Sequence, residues 1–219
     1  MNGLWVPDRK LHLPPLTSRE LRQVPLMGAF VELGAWDKNH KLIQQFREVS
    51  HSPVKQFLQI ILGQWNVVTL AVGTVAETDG TTSGYANNDA SRMYAKGAAD
   101  NDLLGIVVGT GSTAVDITDY KLATQILQGS AANKLKYNGD DGDLVVTVTD
   151  PNCTFNKWRN FNNFSGAAIT VAETGIYVNM VPAGQGGGIY LMFVRDVPAS
   201  VSVPNDGGCY VKYTLKISE

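Results

Sequence analysis

Charge is scarce in this chain. Asp, Glu, Lys and Arg make up 17% of its 219 residues, against roughly 25% in an average soluble domain. They nearly cancel, at a formal net charge of -2, so there is no basic field to draw in nucleic acid or an anionic membrane surface, and neither is expected as a direct partner. Cysteine is almost absent: Cys153 and Cys209 stand far apart and form no C-x-x-C pair, which excludes a disulfide framework and a zinc knuckle and predicts two reduced thiols. Histidine is limited to His12, His40 and His51. None falls in a metal-ligand spacing, and none is placed to serve as the base of a serine triad, for which the G-x-S-x-G turn is also missing. No window approaches 18 uninterrupted apolar residues, and the amino terminus lacks a basic stretch leading into an apolar one, so the chain reads as soluble and unexported. No cofactor is implied.

Short alternating segments are what the chain has in quantity. The clearest is Cys209–Ile217, where Cys209, Val211, Tyr213, Leu215 and Ile217 fall on one face and Lys212, Thr214 and Lys216 on the other, as a half-buried strand requires. Met27 to Trp36 alternates in the same way, Asp37 to His40 reads as a turn, and Lys41 to Val49 returns antiparallel. Further strands are expected around Trp65 to Val72, at Leu103 to Val108, Lys134 to Tyr137, Leu144 to Thr149, Thr154 to Asn162, Ala168 to Asn179 and Ile189 to Val197, divided by Asn-Gly, Asp-Pro, Ser-Gly and Gly-Gly turn signals. Two helices are predicted. The first has Ser52 as N-cap, Pro53 at its first position and Gly63 as terminator, and the second has Thr118 as N-cap, an Ile117 to Leu122 staple and Gly129 at its end.

This pattern predicts a mainly β fold. An antiparallel β-sandwich, jelly-roll-like or Ig-like, would carry the two short packed helices over residues 27–219. Residues 1–26 hold four prolines and an aperiodic set of apolar residues, Trp5, Leu11, Leu13 and Leu16. They read as an extended N-terminal arm that must lie on something, its own domain or a neighbouring subunit, to offset the entropy of ordering. Residues 73–102 are rich in Gly, Ala, Thr, Asn and Asp and read as a long loop insertion, far beyond the usual connection of about 4–6 residues. It is either a contact element anchored by Tyr85, Arg92, Met93 and Tyr94 or a crossing loop packed locally. The eight residues singled out in the arm and the loop are the candidate inter-subunit contacts.

Four candidate chemistries are weak. Gly109-Thr-Gly-Ser-Thr-Ala114 has the G-x-G-x-x-A form of a dinucleotide turn, but no helix opens at its glycines and no βαβ series follows. Asn138-Gly-Asp-Asp-Gly-Asp143 gathers three carboxylates that could hold a calcium ion, yet Pro151 occupies the place of an EF-hand's final Glu, and a solvated hairpin turn accounts for the run. Glu173, Asp196 and Asp143 could supply the two carboxylates of a glycosidase, although Glu173 and Asp196 have a structural reading as partners of Arg195 or Arg159. Trp158, Phe155, Phe161 and Phe164, with Lys157 and Arg159, could stack on bases or sugars, while their alternation makes most of them sheet-face residues.

The motifs form a recognisable order: Gly105-Ile-Val-Val-Gly-Thr-Gly111, then Thr118-Asp-Tyr-Lys-Leu-Ala-Thr-Gln-Ile126, then the Phe161 to Tyr177 segment, then Phe193-Val-Arg-Asp196 and the closing Tyr210 to Leu215 strand. In that order they resemble a group of tailed-bacteriophage virion structural proteins, capsid- or tail-associated. The resemblance implies a β-rich, non-enzymatic subunit of a symmetric particle, assembled in the host cytoplasm, with other virion proteins and copies of itself as partners. Its alternative is a tail-fibre or spike component that binds a host-surface glycan through aromatics such as Trp158 and Tyr85.

Overall fold

An alternating stretch is stable as a strand only when a neighbour completes its backbone hydrogen bonds and a core covers its apolar side. The final strand obtains both by lying in the middle of a sheet. In a computed structural model that describes residues 27–50, 53–58, 69–86, 92–142, 146–150, 152–181 and 188–218, the chain is mainly β and its strand pairings are antiparallel. The larger sheet contains β1 (Met27–Trp36), β2 (Leu42–Ser50), β7 (Lys136–Tyr137), β8 (Asp141–Gly142), β9 (Thr147–Thr149), β10 (Asn152–Asn162) and β15 (Gly208–Ser218). Its order is β2-β1-β15-β10-β7, with β8 and β9 also paired to β10. The β15 strand runs unbroken against β1 from Met27↔Ile217 to Trp36↔Gly208, and against β10 from Asn152↔Ser218 to Asn162↔Gly208.

The second sheet has β12 (Glu173–Val181) at its centre, with β13 (Ile189–Asp196) on one side and β5 (Arg92–Tyr94) and β6 (Gly105–Gly109) on the other. Two small pairs complete the described strands: β11 (Ile169–Val171) with β14 (Val201–Val203), and the hairpin β3 (Thr69–Ala76) with β4 (Thr82–Ala86). One core joins the layers. Val31, Leu33, Cys209, Val211, Tyr213 and Phe161 from the larger sheet cluster with Ile106, Ile176, Val178, Leu191 and Val194 from the second, and the β11–β14 pair adds Ile169, Val171, Val201 and Val203. The period-two reading therefore holds where it matters: Cys209, Val211 and Tyr213 are wholly buried, although Ile217 at the far end of the same face is 57% exposed.

Three expectations need correction. Residues 118–129 are not a helix but a run of turns and short bridges, because partners elsewhere take the backbone groups that a helix would use internally. Tyr177 Oη accepts from Leu122 N (2.8 Å), the Glu173 carboxylate from Ala123 N (2.7 Å) and Thr124 N (3.2 Å), and Val108 O from Ile126 N (2.9 Å). The expected N-cap Thr118 instead closes a turn on Asp116, donating through N (2.8 Å) and Oγ1 (2.6 Å) to Oδ1, and Ile117, the expected staple, is 67% exposed. Residues 73–102 are not a structureless loop: they hold the end of β3, all of β4 and all of β5. Polar, glycine-rich composition there marks a surface hairpin and a short edge strand rather than unpaired chain. Of the first predicted helix, residues 53–58 are described and contain one helical turn, 55–58. That turn docks on β13, with Val54 N donating to Phe193 O (3.3 Å) and Phe57 meeting Phe193 edge to face. The arm, residues 1–26, lies outside the described residues, as do Ser52 and Gly63.

Candidate functional site

The charged side chains most deeply placed in the molecule bind its own backbone. Arg159 projects from β10 into the core side of the larger sheet and has no exposed surface. Its guanidinium directs five donors at five carbonyls: Nε to Asn138 O (2.7 Å), Nη1 to Leu104 O and Ile106 O (both 2.9 Å), and Nη2 to Ala98 O (2.8 Å) and Asn101 O (2.7 Å). A guanidinium has five N–H groups in one plane, so nothing is left over for a ligand. Tyr137 and Phe161 flank it, with ring centroids 4.8 and 5.9 Å from its central carbon.

Asp140 completes this cluster. Its carboxylate accepts from Gly97 N (2.8 Å) and Ile106 N (3.2 Å) and receives the Lys157 ammonium at 3.1 Å. Burial raises the Asp140 carboxyl above its usual range, against the pull of Lys157 and Arg159, and burial lowers Lys157. The acidic run is therefore not a solvated turn at this position: the positive charge facing Asp140 comes from the protein. Gly105 is required here, since its φ is +82° and a Cβ would sit 1.5 Å from Asp140 Oδ2.

A second cluster explains the Gly-Thr-Gly turn. Glu173, fully buried at the start of β12, accepts from Arg195 Nε at 2.6 Å as well as from Ala123 N and Thr124 N. Arg195 also donates to Asp119 Oδ2 (2.6 Å), Thr113 O (3.0 Å) and Ala114 O (3.3 Å). A Cβ on Gly109 or Gly111 would come within 2.6 or 2.5 Å of Glu173 Oε2. Those glycines make room for a carboxylate, which occupies and charges negatively the space a pyrophosphate would need. With both oxygens spent inside the protein, Glu173 presents nothing to a glycan. Asp196 is buried and accepts from Ser50 Oγ (2.8 Å), and Asp143 lies outside the described residues.

The third cluster lies on the opposite face of the larger sheet. Glu32 receives Tyr210 Oη at 2.7 Å and Arg47 Nη2 at 2.9 Å, while the Tyr210 ring lies over Gly34, where a Cβ would meet it at 2.4 Å. One open cavity, of about 570 Å³, is lined by Val31, Val49, Val115 and Pro198 with Glu48 and Asp196 at its walls. Glu48 accepts from Ala199 N (2.9 Å), so both carboxylates help fasten the 196–199 segment. Among the described residues, no group of three His, Cys, Asp or Glu side chains could hold a metal ion, and no helix is long and apolar enough to cross a membrane.

The surface carries what remains for recognition. The β2 strand ends the larger sheet, and among the described residues no strand pairs with its outer edge; Ile43 on it is 44% exposed. Of the predicted contacts, Met93 (41%) and Tyr94 (45%) are exposed on the short strand β5. Arg92 is in the same strand, and Tyr85 is in β4 paired with Leu70, apart from it in the sheet topology. Trp5, Leu11, Leu13 and Leu16 lie outside the described residues. Sequence reasoning offered Glu173 as a partner of Arg195, which the structure shows at 2.6 Å, but missed the backbone hydrogen bonds that make Arg159 and Glu173 organising centres. The available signal was a charged residue on the apolar face of a strand, as Arg159 is between Phe155 and Phe161. Comparisons with protein-family models, with curated proteins and with solved structures give no match.

Proposed function

We propose that the chain is a non-enzymatic structural subunit of a tailed-bacteriophage particle, capsid- or tail/neck-associated, that works through contacts with copies of itself and with other virion proteins. The observation that carries this reading is the edge of β2, with which no strand pairs among the described residues, on a scaffold whose buried charges serve its own backbone and one another. An unpaired edge offers a row of N–H and C=O groups to a neighbouring strand. Burying Arg159, Glu173 and Arg195 in internal bonds makes the layers rigid without creating reactive groups. Two measurements test the proposal. Peptides of this chain should be found in gradient-purified particles, and light scattering should show an oligomer that Ile43→Lys disperses; a chain missing from particles, or monomeric at high concentration, sinks it.

The alternative, a fibre or spike domain that binds host glycan, draws on the face of β10 opposite the core. Trp158 is half-buried there, opposite Lys212 in the register, and two residues away Asn156 Oδ1 accepts from Thr214 Oγ1 (2.7 Å). An aromatic face beside amides, hydroxyls and an ammonium is suited to a sugar. Saturable binding on a glycan array, lost in Trp158→Ala, would favour this reading over the architectural one.

A further inference from the structure

One buried ion pair brings a nucleophile against an electrophile. Lys157 Nζ is 3.1 Å from Asp140 Oδ2, the aspartate side chain has no exposed surface, and the lysine side chain is 15% exposed. The other described ion pairs differ in chemistry or setting. Those of Arg47, Arg159 and Arg195 use a delocalised guanidinium that keeps its proton and is no nucleophile, and Lys136 meets Asp100 at the exposed surface, where water solvates both. The surroundings hold Asp140 and Lys157 together. Lys157 is in β10 opposite Gly142 of β8, and a Cβ on Gly142 would come within 2.8 Å of Asn156 O, so a glycine lets the connection bearing Asp140 lie close against the strand.

The carboxyl group is also polarised. Gly97 N and Ile106 N donate to Oδ2 at 2.8 and 3.2 Å, and Arg159 Nε stands 3.9 Å from Oδ1. Two N–H groups fixed on one oxygen draw electrons from Cγ and are in place to receive the negative charge that grows on Oδ2 when Cγ is attacked, as the donors of an oxyanion hole do. Contact between amine and carboxyl, set by the fold, removes the entropy of encounter. An ammonium has no lone pair and a carboxylate resists attack, so the pair reacts in its neutral form. Passing one proton from Lys157 to Asp140 produces that form with no acid or base from outside. Burial favours it at both ends, raising the Asp140 carboxyl and lowering the Lys157 ammonium against their mutual attraction, with Arg159 and Lys96 disfavouring the lysine charge further.

We infer that Lys157 and Asp140 condense into an intramolecular isopeptide bond that ties β10 to the connection before β8. The Nζ lone pair forms the new bond to Cγ and the Cγ–Oδ1 bond breaks. Oδ1 leaves as water, carrying the carboxyl proton and one amine proton, and Oδ2 becomes the amide carbonyl, still held by Gly97 N and Ile106 N. Mass spectrometry tests this on the full-length chain, folded at neutral pH and then denatured for measurement. The intact mass should be one water below that of the sequence. A succinimide at Asp141-Gly142 has the same mass, so position decides. Trypsin should fail to cut after Lys157 and should release residues 137–159 as one peptide lighter by a water, and chymotrypsin, cutting after Phe155, should leave the pieces bearing Asp140 and Lys157 joined. Lys157→Arg keeps the positive charge and should restore the full mass, with no joined pieces. A parent chain of full mass overturns the inference, and so does a lost water that maps to Asp141 while Lys157 is cut normally. Both readouts come from the unsubstituted protein, so the test stands even where Lys157→Arg does not fold.

Discussion

Arg159 shows how a single residue can organise this fold. Its five hydrogen bonds reach carbonyls from Ala98 to Asn138, tying to β10 segments whose irregular backbone would otherwise face an apolar interior unpaired. Replacement by lysine keeps the charge but reduces five planar donors to at most three on a flexible stem. At least two buried carbonyls would then lose their partner, at roughly 1–3 kcal/mol each. Arg159→Lys should therefore destabilise the protein by about 3 kcal/mol, seen as a lower urea midpoint at constant slope. A midpoint within error of the parent would show that water or a shifted backbone can replace the guanidinium.

At the scale of elements, Glu173 decides the form of the segment from Gly111 to Thr124. The segment has helical composition in part, but its N–H groups at 123 and 124 and the cation of Arg195 converge on one buried carboxylate. In Glu173→Gln, Arg195 keeps Asp119 but loses the more deeply buried of its two anionic partners. Breaking a buried ion pair on one side costs about 3–5 kcal/mol. Hydrogen exchange should show protection falling at Ala123 and Thr124 while amides of β1 and β15 retain theirs; an even loss over the chain would deny the segment its separate dependence on Glu173.

The same segment marks the limit of what was legible in the sequence. Strands β1, β2, β10, β13 and β15 were readable because a buried face imposes period two over eight or more residues, and their observed bounds fall within a few residues of those predicted. By contrast β8 and β14 are two and three residues long, too short for any period to register. The predicted strand at 168–179 is divided at Ala172 into β11 and β12, which join different sheets. That break follows from a long-range bond, Ala172 N to Gly109 O at 3.0 Å, of which the local sequence bears no trace. The helix predicted at 118–129 failed for the same reason: its caps are local signals, and Glu173 and Tyr177 overrule them from about fifty residues away. Of the candidate contacts, Met93 and Tyr94 are exposed on β5, where an apolar side chain in a polar stretch has little core to enter.

For the molecule as a whole, the decisive fact is that the last strand is central. The β15 strand pairs along its whole length with β1, nearly two hundred residues earlier, and with β10. Without it β1–β2 and β10 have no common neighbour, and Val31, Leu33 and Phe161 lose Cys209, Val211 and Tyr213 from the shared core. The larger sheet cannot close until the C-terminal residues are available, and loop-closure entropy must be met before these contacts stabilise anything. Deleting residues 209–219 should abolish cooperative unfolding altogether rather than lower its midpoint, whereas the complete chain should refold slowly, in milliseconds to seconds, as proteins dominated by non-local strand pairing do. Circular dichroism through a denaturant series tests the first expectation and stopped-flow fluorescence the second. A truncated chain that still melted cooperatively would mean that the second sheet, with β12 at its centre, can sustain a core of its own.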